Sequence, residues 1–183
     1  TQTQELIDVL KNKTQVQISK LMTLSDKLSK LNFDRFQAFK TPFSLDNAKQ
    51  ALLAFKGDVY NGIDAPSLSL EDLKFAQNNV RMISGLYGVL RPLDLIQPYR
   101  LEMGTKLSNK NGGNLYDYWG SKISKVLNDD EQGLIINLAS NEYFKSIDKK
   151  SLKAQILDVV FKEKKNDAYK VIGIYAKRAR GLM

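Results

Sequence analysis

The residues from Val80 to Gly104, VRMISGLYGVLRPLDLIQPYRLEMG, constrain the fold more than any other part of the chain. They begin apolar, break at Gly85 and Gly88, break again at Pro92 and Pro98, and close at Gly104. Glycine opens backbone conformations closed to other residues, and proline fixes φ and removes a donor. Neither one helix nor one strand survives such punctuation. The stretch reads as a short buried strand, a tight glycine turn and an extended segment. Arg81, Arg91 and Arg100 lie along it, with Tyr87, Tyr99, Asp94 and Glu102 between them. A guanidinium on a constrained backbone suits phosphate or carboxylate, because its forked donors match those oxygens in pairs. The plainer alternative is a buried loop whose arginines satisfy neighbouring carboxylates.

Before that stretch the spacing is helical. Leu6 and Leu10 suit a short helix, and Thr14 is an N-cap for a segment reaching about Phe39, as two helices or one bent one. Its apolar stripe is Ile18, Leu21, Leu24, Leu28 and Leu31. After Thr41-Pro42, Ser44 caps an expected helix with Leu45, Ala48, Leu52 and Phe55 on its buried side. That helix runs into a Lys56-Gly57 turn, and another starts at Ser69 with Asp72 at the capping-box distance. Helix, glycine turn, loop and helix in this order invite a helix-hairpin-helix reading, in which turn amides hold phosphates, though the usual paired glycines are absent.

After the stretch, Asn114 caps a helix carrying Leu115, Tyr118, Trp119, Ile123, Val126 and Leu127, which makes Trp119 a core residue. Residues 128–133 read as an acidic turn. Leu134 to Leu138 reads as a strand apolar on both faces, ending in a polar cluster that includes Asn137 and Ser140, with Ser140 or Asn141 a cap for one helical turn. Ala154–Lys162 and Tyr169–Lys177 read as two strands of a hairpin. The fold class expected is therefore α+β: a mixed sheet in the second half, packed by helices contributed mainly by the first half, in a single domain spanning 1–183.

Composition removes several chemistries. With no cysteine and no histidine, thiol nucleophiles, disulfides, Cys/His zinc sites and imidazole bases are excluded, and no metal site or cofactor is expected. No apolar run reaches the roughly 18 residues of a membrane span. A cytoplasmic location is the default. The 28 Lys and Arg against 20 Asp and Glu leave a net charge of +8, which attracts polyanions.

SGLYGVLRPLDLIQPYRLEMG, together with AFKGDVYNG (54–62), LYDYWG (115–120), INLASNEYFKS (136–146) and YAKRARGLM (175–183), resembles the peroxide-stress protein YaaA family. The resemblance implies a longer protein, with a preceding strand and Ser-Pro-Ala-Lys segment and a continuation past Met183, of which this chain is an internal piece. It also implies resistance to hydrogen peroxide and DNA binding, with an accompanying effect on intracellular iron. Direct iron sequestration is not expected, because ferrous sites favour imidazole or thiolate. The first functional expectation is a duplex-DNA-binding protein of the peroxide response. Its phosphate-binding residues are Lys56, Arg91, Arg100, Lys177, Arg178 and Arg180. The alternative is an enzyme, or former enzyme, acting on a nucleotide or another phosphorylated small molecule. Its polar pocket would draw on Asp58, Tyr60, Ser84, Tyr87, Glu102, Asn137, Ser140, Glu142 and Tyr143, which are more varied than backbone binding needs.

Overall fold

A computed structural model describes residues 1–130 and 133–183. Three helices open the chain, α1 (Gln2–Lys11), α2 (Gln15–Met22) and α3 (Asp26–Ala38). Thr1, Thr14 and Ser25 cap them by accepting from the amides of Gln4, Gln17 and Leu28. These caps satisfy donors that a helix start leaves without partners. Leu6, Ile7, Leu10, Ile18 and Leu24 are buried, but Leu28 and Leu31 are exposed. The expected stripe fails there because Thr23, at φ 52°, breaks the helix and resets its rotation. α3 buries Ser29, Asn32 and Phe36 instead.

The helix expected from Ser44 to Phe55 does not form. The Ser44 amide donates to Asn47 Oδ1, and Asn47 Nδ2 donates to the Pro42 carbonyl. Such side-chain bonds offer the backbone an alternative to helix. Leu45 consequently faces solvent. A short strand β1 (Lys49–Gln50) and a one-turn α4 (Ala51–Ala54) follow, then α5 (Asp58–Ile63), where only loop was expected. A 3₁₀ turn (Ala65–Ser67) leads to α6 (Leu70–Asn79), whose Ser69–Asp72 capping box forms as read. Leu70, its first residue, is exposed.

The punctuated stretch folds as a hairpin and a third strand. β2 (Met82–Ser84) and β3 (Gly88–Leu90) pair antiparallel across the glycine turn, and β4 (Leu95–Ile96) pairs with β1. Gly88 sits at φ +76°, and a Cβ there would lie 2.7 Å from the Trp119 ring. The Trp119 indole N–H donates to the Gly85 carbonyl at 3.0 Å, so this tryptophan is core. It closes α7 (Leu115–Trp119), capped by Asn114, and α8 (Lys122–Asp129) follows. Of the acidic turn expected at 128–133, Glu131 and Gln132 lie outside the described residues.

β5 (Leu134–Asn137) passes through α9 (Asn141–Phe144) to β6 (Gln155–Asp158), which pairs with it in parallel. Parallel strands require such a crossover. Only one face of this pair is packed: Ile135 and Ile156 meet the core, while Leu134 and Ile136 are about half exposed. The expected long C-terminal hairpin is replaced by this pair, a small hairpin of β7 (Glu163–Lys165) and β8 (Ala168–Lys170), and α10 (Gly173–Leu182). The run Ala-Lys-Arg-Ala-Arg is strong helix former, which outweighs the β-favouring Ile and Tyr before it.

The class is α+β, with parallel and antiparallel pairing both present. The strands form four two-stranded ladders among the described residues. Among the described residues, two apolar clusters hold the fold together. One joins α1 to Leu86, Met103, Leu107 and Trp119, and the other joins Ala51, Leu52, Met82, Leu90 and Ile96. Tyr87 and Tyr99 pack against both, so the hairpin and the segment after it form the seam of the protein. No helix among the described residues is long and apolar enough to cross a membrane.

Candidate functional site

The six cations singled out in the sequence fall into two groups. Arg91 and Arg100 each have a carboxylate. Arg91 pairs with Asp130, which also takes Arg81 Nε at 2.7 Å. Asp94 Oδ2 accepts the Arg91 amide at 2.7 Å. The Arg81 hydrogen bond, with help from Arg91 and against the effect of burial, holds the Asp130 carboxyl below the usual carboxylate range. Arg100 pairs with Glu102 at 2.8 Å. Pro92 and Pro98 lie between the two arginines, and they engage different partners.

Lys56, Lys177, Arg178 and Arg180 have no carboxylate at ion-pair distance among the described residues. Lys56, Lys177 and Arg178 are exposed; Arg180 is half-buried, and its Nε is buried without a hydrogen-bond partner among the described residues. Lys56 stands just before α5, and the other three belong to α10, which packs on α5. The two helices meet glycine to glycine: a Cβ on Gly62 would lie 3.1 Å from the Gly181 Cα, and one on Gly181 would lie 2.9 Å from the Gly62 Cα. Side chains at either position would overlap the Arg178 or Val59 carbonyl oxygen. Bare backbone at the crossing thus places the α10 cations beside α5.

The seam gathers a second set of groups. The rings of Phe55 and Tyr60 stack at 5.1 Å, Phe55 meets Tyr99 edge-on at 6.2 Å, and Tyr99 meets Tyr87 at 5.2 Å. Ser84 Oγ lies 2.6 Å from the Tyr99 hydroxyl. Tyr143, on α9, is close enough to Tyr60 and Tyr99 to act on them electrostatically, as Glu142, Glu102 and Arg100 act on Tyr143. Burial pushes Tyr60 and Tyr87 up to about 12, and burial with Glu142 and Glu102 does the same for Tyr143. Tyr99 is raised further, again chiefly by burial. These hydroxyls are neutral donors over the physiological range. Glu142 Oε1 accepts the Gly104 amide at 2.8 Å.

Of the expected pocket residues, Tyr60, Ser84 and Tyr87 gather around Phe55 and Tyr99, while Glu102 and Glu142 line a separate groove with Lys20 and Lys106, and Tyr143 follows Glu142 on α9. Asn137 stands apart, donating to Asp158 Oδ1 at 2.7 Å across the end of the β5–β6 pair. Ser140 caps α9 by backbone alone. Asp58 opens α5. Tyr99, Phe55 and Asp130 were missed. Tyr99 lies within the organising stretch, which was its only signal; Phe55 was assigned to a helix that does not form; and 49 residues separate Asp130 from Arg81.

The model of the peroxide stress protein YaaA family matches residues 1–183. The chain belongs to the peroxide stress protein YaaA family. It is similar to proteins named UPF0246 protein in Acaryochloris marina (56% identical, over 99% of this chain and 73% of that protein) and Aliivibrio fischeri strain MJ11 (58%, over 98% and 71%). A third, from Albidiferax ferrireducens, is 55% identical over 100% of this chain and 72% of its own length. Membership links this YaaA-family chain to peroxide stress, as the resemblance implied.

Proposed function

We propose that the chain binds duplex DNA in the peroxide-stress response, chiefly through phosphate contacts made by the α5–α10 face. The carrying observation is that Lys56, Lys177, Arg178 and Arg180 share one helix pair and find no intramolecular carboxylate among the described residues. Three cations within four residues repel one another unless an anion lies against them, and a polyphosphate backbone is the natural one. The net charge of +8 favours approach. Arg91 and Arg100 contribute less, since each already holds a carboxylate. Contacts of this kind position a duplex without reading its bases.

Fluorescence anisotropy of a labelled duplex at several salt concentrations tests the reading. Four phosphate contacts give a slope of about −3.6 in log K against log salt, or roughly a hundredfold loss from about 50 to 200 mM. Affinity independent of salt, or no binding at low salt, contradicts it.

A further inference from the structure

Both faces of the β7–β8 hairpin meet solvent: every residue from Lys162 to Val171 is exposed. A two-stranded hairpin without a packed face is marginally stable in water. Its turn compensates. Asn166 at φ 49° and Asp167 at φ 59° supply the two positive φ angles of a type I′ turn, whose twist matches that of the flanking strands. The register is thereby set: Lys165 pairs with Ala168, Lys164 with Tyr169 and Glu163 with Lys170. Cross-strand partners point to the same face, and neighbours along a strand point to opposite faces. Lys165 and Lys170 therefore share one face with Glu163 and Ala168, and Lys164 shares the other with Tyr169.

Lys162, Lys164, Lys165 and Lys170 stand against Glu163 and Asp167, four charges against two, which leaves +2 on nine residues. Lys162, Lys165 and Lys170 have no carboxylate at ion-pair distance among the described residues. Lys164 reaches Asp167 at 3.6 Å, but the Asp167 side chain is 99% exposed, and so loose a surface pair contributes little. Only Val171 and Ile172 separate β8 from α10. The base of the ribbon thus lies within about 11 Å of the start of the helix that carries Lys177, Arg178 and Arg180. Dimensions then select a groove. A ribbon with side chains on both faces is about 10 Å thick. The major groove of a duplex is about 12 Å wide and the minor groove about 6 Å. Three strand residues extend about 10 Å, enough to reach the floor of a groove about 8.5 Å deep.

We propose that the β7–β8 ribbon is an arm that enters the major groove of a DNA duplex while the α5–α10 face holds the adjacent backbone. Lysines on its two faces reach phosphates on the two walls of the groove. The arm rests on the DNA reading of the α5–α10 face, and adds to it a second contact and a choice of groove.

The test uses the full chain and a labelled duplex. Dimethyl sulfate methylates guanine N7 in the major groove and adenine N3 in the minor groove, so it reports which groove is covered. With saturating protein, guanine N7 should be protected and adenine N3 should not. Lys164→Gln/Lys165→Gln/Lys170→Gln removes the cations of the arm without touching a buried side chain, and circular dichroism checks that the fold is kept. At saturation this variant should lose the N7 protection. Its salt slope should be about −3.6, that of four contacts on the α5–α10 face, against about −6.3 for the wild type with three more from the arm. Lys20→Gln/Lys27→Gln/Lys74→Gln removes the same charge from exposed positions on α2, α3 and α6, and should keep both the protection and the slope. Unprotected guanine N7, protection confined to adenine N3, or wild-type slope and protection in the ribbon variant would each overturn the arm. So would an equal loss in the Lys20/Lys27/Lys74 variant, which would reduce the lysines to a general field. If Lys177→Gln/Arg178→Gln still weakens binding in those cases, the α5–α10 reading stands without the arm. Absence of duplex binding by the wild-type chain overturns both.

Discussion

Asp130 takes two guanidinium groups, and this one carboxylate decides how Arg91 behaves. Its carboxyl is held below its ordinary range, chiefly by the Arg81 hydrogen bond. A carboxyl depressed in the folded state stabilises the fold above its unfolded value, and that contribution is lost as pH falls through the folded one. The window therefore lies below about pH 4. Asp72, held down by Ser69, and Glu5, held down by Lys110 and Tyr118, act in the same direction. Asp130→Asn should lower the melting temperature at neutral pH and flatten its decline between about pH 4 and pH 2. Melting curves across that range check this, and a wild-type profile would show that the pairs contribute nothing. Arg91→Lys should cost the folded protein about 1 kcal/mol or less, because the Arg91 side chain is 46% exposed. It should leave duplex affinity nearly intact. At this scale the sequence revealed that the arginines matter but not what each one meets, since Arg81 and Asp130 are neighbours only after folding.

The element that presents the cations, α10, rests on a contact without side chains. Gly181→Ala or Gly62→Ala forces Cβ atoms into backbone at the crossing with α5. Overpacking of this kind costs about 1–3 kcal/mol. Hydrogen exchange should quicken along α10 while α1 stays protected, and uniform protection throughout would mean that the crossing yields without cost. Helix starts were legible because caps are local: Thr14, Ser69 and Asn114 each accept from an amide three residues on. Residues 42–56 misled because Asn47 bonds back to Pro42. The last helix misled because Ile172, Ile174 and Tyr175 read as strand, whereas the Ala and Arg residues after them settle the conformation. Strand partners were not legible, since the register of β5 with β6 depends on a crossover that no local spacing encodes.

For the whole molecule, the α+β class followed from periodicity and punctuation, and the stretch from Val80 to Gly104 is the part that both cores share. The seam itself could not be read, because the contacts of Tyr87 and Tyr99 with two clusters exist only in three dimensions. Those phenols also set alkaline behaviour. Tyr60, Tyr87 and Tyr143 ionise near 12 in the fold, against about 10 when unfolded. Their contribution to stability is thus complete below about pH 10 and is lost as pH rises towards 12. Tyrosinate absorbance and circular dichroism followed together should show late ionisation coinciding with loss of fold; complete ionisation near pH 10 in a folded protein would contradict the seam. The most direct measurement compares salt slopes for duplex binding. Lys177→Gln/Arg178→Gln should weaken binding and make the slope shallower by about 2, one unit for each lost phosphate contact. Arg91→Gln/Arg100→Gln should change it little. Equal slopes for the Lys177/Arg178 variant and the wild type, or a larger effect from the Arg91/Arg100 pair, would contradict the assignment of the α5–α10 face to DNA.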